Sequence, residues 1–201
     1  MSQQPNILGI SAFYHDSSAA IIKGDDIIAA AQEERFTRIK FDNSFPQNAI
    51  SYCLSSAGIT QKDLSAVVFY EDPIIKLDRI CESHINHSKS FYKSFKKICT
   101  WMESKLDVGR MFYSEYLPHY PGKIYFSQHH RSHAAAAFYP SPFEEATILV
   151  IDGIGEWSSV TIGKGSDNNI DLLKEQRFPN SIGLLYSAIT QYLGFKVNSG
   201  E

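Results

Sequence analysis

Residues 6–36, NILGISAFYHDSSAAIIKGDDIIAAAQEERF, recur with one extra residue at 147–178 as TILVIDGIGEWSSVTIGKGSDNNIDLLKEQRF. Identities run through apolar, hydroxyl, glycine and charged positions alike: Ile7/Ile148, Leu8/Leu149, Ile10/Ile151, Ser17/Ser158, Ser18/Ser159, Lys23/Lys164, Gly24/Gly165, Glu33/Glu175, Arg35/Arg177 and Phe36/Phe178. Each copy reads as an apolar strand, a polar turn, a second strand, a glycine turn and a third strand, so a three-stranded meander is written twice. Punctuation between the copies predicts the remaining elements. Ser44 and Pro46 open a helix that Gly58 ends. Leu64–Tyr70 and Lys123–Ser127 read as strands, Gln128–Phe138 as an Ala-rich helix closed by Pro140 and Pro142, and Asn180 or Ser181 opens a last helix. The order βββαβ, insertion, βα, βββα predicts mixed-sheet α/β lobes. The first lobe is placed at 1–145, with an insertion at about 74–120, and the second begins at 146 and runs to 201.

Composition sets outer bounds. At 201 residues, with 43% hydrophobic and 13% aromatic content, the chain can bury a real core. No apolar run approaches the ~20 residues of a membrane span. The start MSQQPNILG lacks the regions of a signal peptide, so the expectation is a soluble, cytoplasmic protein without a membrane partner. Cys53, Cys81 and Cys99 are odd in number and dispersed, which argues against a disulfide framework or a thiolate zinc site. Any metal must then rely on histidine and carboxylate. Residues 76–110 hold eight Lys or Arg against four acids, in a chain of net charge -3. Phe91, Phe95, Ile98 and Met102 recur there at helical spacing. That stretch is either a helix packed on its apolar stripe or a surface for a polyanion or acidic partner.

Two places carry chemistry. His129 and His133 lie four residues apart on a predicted helix, so both imidazoles leave one face and can reach one ion. His130 stands where the zinc-protease motif needs a glutamate, so that motif is absent. A third ligand is sought at Asp152, which ends the apolar run ATILVI and opens the turn Asp-Gly-Ile-Gly-Glu. Gly153 and Gly155 there would let backbone amides approach phosphate oxygens. Two histidines and a carboxylate leave coordination positions free and suit Fe(II), Zn(II) or Mn(II). The second place is the turn Phe13-Tyr14-His15-Asp16-Ser17-Ser18. His15 at its tip, aligned with Glu156 in the repeat, can serve as a general base, or the turn can be no more than turn-favouring residues, with Asp16 and Ser17 bonding local amides. A duplicated meander with such turns suits a two-lobed ATPase that offers one turn from each lobe to a phosphate chain.

The blocks GISAFYHDSSAAII (9–22), AAAQEERFTRIK (29–40), HHRSHAAAAFYPSPFEEATILVIDGIGEW (129–157) and FPNSIGLLYSAITQYLGFKVNSGE (178–201) closely resemble the N-terminal region of the O-carbamoyltransferases of nodulation-factor and antibiotic tailoring. The resemblance implies an actin/Hsp70-like (ribonuclease H-like) ATPase fold, akin to the tRNA threonylcarbamoyl-modification ATPase. It implies a divalent metal, usually iron as Fe(II), held by residues matching His129, His133 and Asp152, with a further ligand beyond Glu201. It implies His15 as the catalytic base, Asp16 and Lys40 as contacts to substrate, and Gly153 and Gly155 near ATP phosphates. Carbamoyl phosphate and ATP would give a carbamoyl adenylate in a C-terminal domain, and the carbamoyl group would pass to a hydroxyl of a small-molecule acceptor. The expected reading is an N-terminal fragment whose second lobe is incomplete, inactive alone and with apolar surface left exposed. Two alternatives stay open: a tRNA-modifying ATPase that binds RNA through the basic insertion, and a non-catalytic remnant. On the preferred reading nucleic acid is not a partner.

Overall fold

A computed structural model of the chain describes residues 4–87, 90–102, 106 and 108–198. They group into two compact units, one drawn from 1–70 and 99–127, the other from 71–98 and 128–201. The first unit contains β1 (Asn6–Ser11), β2 (Ser18–Lys23), β3 (Asp26–Gln32), β4 (Ala66–Phe69) and β5 (Ile124–Phe126), in the order β3-β2-β1-β4-β5. β1, β2 and β3 pair antiparallel as the expected meander, and β4 and β5 add in parallel. This order and mixture of directions is the mixed α/β sheet that the order of elements predicts.

Alternation along the strands builds the core. Leu8 and Ile10 of β1, Ala19 and Ile21 of β2, and Val67 and Phe69 of β4 all turn to one buried face, as a two-residue period requires. Helix α1 (Glu34–Thr37) follows β3, and α2 (Gln47–Ala57) covers the sheet with Ala49, Ile50, Cys53 and Leu54. Cys53 is fully buried, and its thiol donates to the carbonyls of Ala19 and Ala29. The helix ends at Gly58 as expected, but Ser44 does not cap its start. The buried Glu33 carboxylate does so instead, accepting from Asn48 N–H (3.1 Å), Ala49 N–H (2.8 Å) and Asn48 Nδ2 (2.6 Å). Ser44 serves Asp42, whose Oδ1 accepts from Ser44 N–H (2.9 Å) and Oγ (2.6 Å) while Oδ2 accepts from Thr37 Oγ1 (2.7 Å).

The basic insertion proves not to be one appended piece. Helix α3 (Pro73–His87) belongs to the second unit, whereas α5 (Val108–Met111) and the π-helical turn Phe112–Tyr116 belong to the first. Val108, Phe112, Leu117 and Tyr120 are core residues there, and Phe112 meets Phe69 and Phe45 edge-on at 5.7 and 5.4 Å. On α4 (Phe91–Trp101) the expected stripe does not face inward: Phe95 is 56% exposed while Ser94 beside it is buried. Lys89 and the Phe91 side chain lie outside the described residues.

The second unit holds β6 (Glu145–Ile151), β7 (Ser158–Ser166) and β8 (Asn169–Arg177), an antiparallel meander with α6 (His129–Phe138) and α7 (Ile182–Tyr192). α6, assigned from sequence to the lobe ending at 145, packs on this sheet: Ala134 and Phe138 join Ile148, Val150 and Ile170 in one cluster. The repeat is present in the expected alignment: the pairs Leu8–Ile21 and Ile10–Ala19 recur as Leu149–Ile162 and Ile151–Val160. Both first turns, 12–17 and 153–158, are the same length, and the longer hairpin in the second copy lies between β7 and β8. The covered face differs, since Leu8 and Ile10 are buried whereas Leu149 and Ile151 are 59% and 53% exposed and Ile148 and Val150 are buried instead. α7 leaves Ile182, Leu185, Tyr186 and Ile189 exposed.

Two outcomes test the polar supports of the first unit. Glu33→Ala strands three donors at the start of α2 and is expected to cost about 2–3 kcal/mol in urea unfolding. A loss under about 0.5 kcal/mol would deny the carboxylate its capping role. Hydrogen bonds from Ser44 and Thr37 hold Asp42 below its ordinary pKa. A depressed carboxyl stabilises the fold above its unfolded pKa of about 4 and loses that contribution as pH falls through the folded value. Asp42→Asn is therefore expected to flatten the fall of the urea midpoint between about pH 4 and pH 2.

Candidate functional site

The metal-ligand candidates are assembled by two periodicities. On α6 the i, i+4, i+8 row His130, Ala134 and Phe138 is buried against the sheet, which leaves His129 and His133 as the adjacent row along its edge. On β6 the inward positions are Ile148 and Val150, and the next position of the same parity is Asp152, just past the strand end. Helix row and strand face therefore meet at three side chains. One ligand atom each from His129, His133 and Asp152 lies within 4.8 Å of the others. His129 Nε2 is 2.9 Å from Asp152 Oδ2 and 3.1 Å from His133 Nε2.

The donor set fits a divalent ion. Two imidazole nitrogens pointing at each other from 3.1 Å share at most one proton in their neutral forms, and the carboxylate competes for it. A cation satisfies all three atoms at once, and 3.1 Å is the separation of two nitrogens bound side by side at about 2.1 Å from one centre. Burial alone would raise the Asp152 pKa. The hydrogen bond and charge of His129, the Gly153 N–H at 2.6 Å and the charge of His133 outweigh it and hold the carboxyl at about 2, so the ligand is anionic. Next to these, His130 is 3% exposed and its Nδ1 lies 2.6 Å from Thr161 Oγ1. Burial lowers its pKa, against the opposing pull of Asp152.

The turn 152–157 is held from both sides: Ser181 opens the last helix as expected, whereas the supporting roles of Gly183 and Glu156 were not read from the sequence. Ser181 caps α7 by accepting from Leu184 N–H (3.0 Å), and its hydroxyl donates to Gly153 O (2.6 Å). Gly183 lets α7 lie directly on this turn, since a Cβ there would stand 2.4 Å from Asp152 O. Glu156 accepts from the first N–H of α6, that of His129, with both oxygens at 2.9 Å. A capping side chain that bonds a helix start from another element leaves no local sequence signal; only its place in a Gly-rich turn marks it. The amides expected to meet phosphates have other partners. Gly153 N–H donates to Asp152 Oδ1 and Gly155 N–H to Ser158 O (3.0 Å). Gly155 instead permits close packing, since a Cβ there would stand 3.1–3.2 Å from His130 and His129.

His15 and Asp16 form a pair in the first unit. His15 Nδ1 donates to Asp16 Oδ2 at 2.7 Å, because a carboxylate can only accept, and the ring is half exposed. Asp16 thus bonds its neighbouring imidazole rather than a backbone amide. Phe13 (φ 73°) and Asp16 (φ 50°) both occupy the left-handed region, which a bulky residue such as Phe13 enters at a cost of order 1–3 kcal/mol. Packing offsets that cost: the Phe13 ring lies 6.1–6.4 Å from those of Phe45, Phe69 and Tyr116, and its N–H donates to Asn43 O. Lys40 is largely exposed and pairs with Glu34 at 3.3 Å.

Comparison with known proteins converges on one family. The model described as carbamoyltransferase N-terminus matches residues 6–201. The protein sll1178 of Synechocystis is 45% identical over 98% of this chain, which covers 33% of that protein. Nodulation protein NolNO of Sinorhizobium fredii is 32% identical over 92% of the chain, which covers 26% of it. The chain thus spans a third or less of the length of these relatives. Among solved structures, YeaZ from Pseudomonas aeruginosa aligns with 85% of this chain and 65% of its own, at 11% identity and a TM-score of 0.44. With the family match running from Asn6 to the last residue, the chain belongs to the carbamoyltransferase N-terminus family.

Proposed function

We propose that the chain is the acceptor-site part of an ATP-dependent O-carbamoyltransferase, working with a portion that processes carbamoyl phosphate. The acceptor is a hydroxyl-bearing small molecule, and the carbamoyl group arrives as carbamoyl adenylate. The observation that carries this reading is the His15–Asp16 pair on a strained, core-anchored turn. Asp16 fixes the proton on Nδ1, which leaves the Nε2 lone pair as a base. As the acceptor oxygen attacks the carbamoyl carbon, its proton passes to His15 Nε2. The bond from that carbon to the adenylate oxygen then breaks, releasing AMP. Adenylation suits this substrate because carbamate alone is a poor electrophile.

His129, His133 and Asp152 are the residues that would hold a divalent ion, with Fe(II) among those the donor set suits. When bound, such an ion supplies Lewis acidity toward phosphate oxygens. Lys40, on its exposed loop, is the remaining substrate contact in this reading.

Two expected outcomes test the proposal. In the chain joined to the carbamoyl-phosphate-processing portion, His15→Ala should lower carbamoyl transfer by about 10²- to 10⁴-fold with an unchanged melting temperature. Transfer that survives this substitution intact would remove His15 from the chemistry. Saturating the isolated chain with Fe(II) or Co(II) at about 100 times the dissociation constant should stabilise it by about 2.7 kcal/mol. Chelator, or His133→Ala, should abolish that gain. An equal gain in the variant would place the ion elsewhere.

A further inference from the structure

Glu156 is 5% exposed, an unusual position for a carboxylate, since acids are seldom fully buried without partners. Its recorded partners are backbone amides at the starts of two helices. Oε1 accepts from Asp72 N–H (2.8 Å), immediately before α3, and both oxygens accept from His129 N–H (2.9 Å each). An anion at the positive ends of two helices is favourable electrostatically. Gln128, the residue preceding α6, gives no side-chain cap, and this carboxylate bonds the His129 amide at the helix start.

The consequence reaches the ligand set. Asp152 and Glu156 stand at either end of one short turn, and His129 is the first residue of the helix that also carries His133. Gly155 brings the turn against that helix. We infer that Glu156 is a positioning residue: by gripping the His129 amide it fixes α6 against the Asp152 turn, and so sets the spacing of the three donor atoms. This rests on the metal reading given above. Side chains that orient metal ligands commonly change affinity by about 10- to 100-fold when removed.

The test is a Co(II) titration of the whole chain, followed by the visible spectrum of the bound ion and by circular dichroism of the protein. Glu156→Asp keeps the charge but shortens the reach by about 1.5 Å, one carbon–carbon bond. It should weaken Co(II) binding about 10- to 100-fold and shift the visible bands while the helical signal persists. Glu156→Gln, which keeps the length and one acceptor oxygen, should recover most of the affinity. A purely structural role would lower the melting temperature of both variants and leave affinity and spectrum as in the parent, and that result overturns the inference. Should Glu156→Asp not fold, Glu156→Ala decides, since parental affinity and spectrum overturn the inference and a weakened, spectrally shifted site supports it. If the parent takes up no Co(II), or His133→Ala binds it equally well, the metal reading itself falls and the inference goes with it. Normal binding by the parent, loss in His133→Ala and parental behaviour in both Glu156 variants would sink the inference alone.

Discussion

The geometry of the second unit depends on the parity of one strand. Ile148 and Val150 face α6, so Asp152, two residues further on, is delivered to the same side, where its carboxylate lies 2.9 Å from His129 Nε2. Had β6 paired with β7 one residue out of step, Leu149 and Ile151 would be inside and the carboxylate would leave the helix altogether. Burying Ile148 and Val150 is worth about 1.5–3 kcal/mol for each side chain, and the same energy that fixes the strand face therefore fixes the acid. Ser181 and Gly183 from α7 and Glu156 from the turn itself then hold the backbone that the strand has aimed.

In the first unit the corresponding constraint is aromatic packing. The turn 12–17 reverses the chain through left-handed conformations at Phe13 and Asp16, and an isolated peptide would relax from them. Phe13 is kept there because its ring is part of the cluster that includes Phe45, Phe69 and Tyr116. Phe45 and Tyr116 stack at 3.8 Å, and Phe112 closes the cluster edge-on. Residues contributed by the stretch read as a basic insertion thus support the turn that carries His15. Placing an exposed imidazole on a strained turn requires a rigid base, and the aromatic cluster provides one.

Much of this was legible in the sequence, for identifiable reasons. Meanders, helix ends at Gly58 and Ser181, and the i, i+4 histidines follow from local periodicity and capping chemistry, which short windows contain. The alignment of the two copies holds in the strand register, but the covered face of the second was not legible, because identity does not distinguish an inward isoleucine from an outward one. The capping roles of the Glu33 and Glu156 carboxylates were not legible because each bonds a helix 15 or more residues away in sequence. The core role of Phe112, Leu117 and Tyr120 was hidden by the charges around them, which suggested a solvated helix.

The preserved register gives the duplication its meaning. Ser11 and Ser18 close the first turn, and the bond from Asp152 N–H to Ser159 O closes the second, so His15 and Glu156 hold the same turn position. Each takes part in a hydrogen bond involving a histidine, in opposite senses: the His15 ring donates to Asp16, and Glu156 accepts from the backbone N–H of His129. The residue before them differs as well, Tyr14 in the first copy and Gly155 in the second, where His129 and His130 occupy the space a side chain would need. One turn position therefore displays an imidazole in one unit and, in the other, an acid that holds the start of a helix bearing histidines.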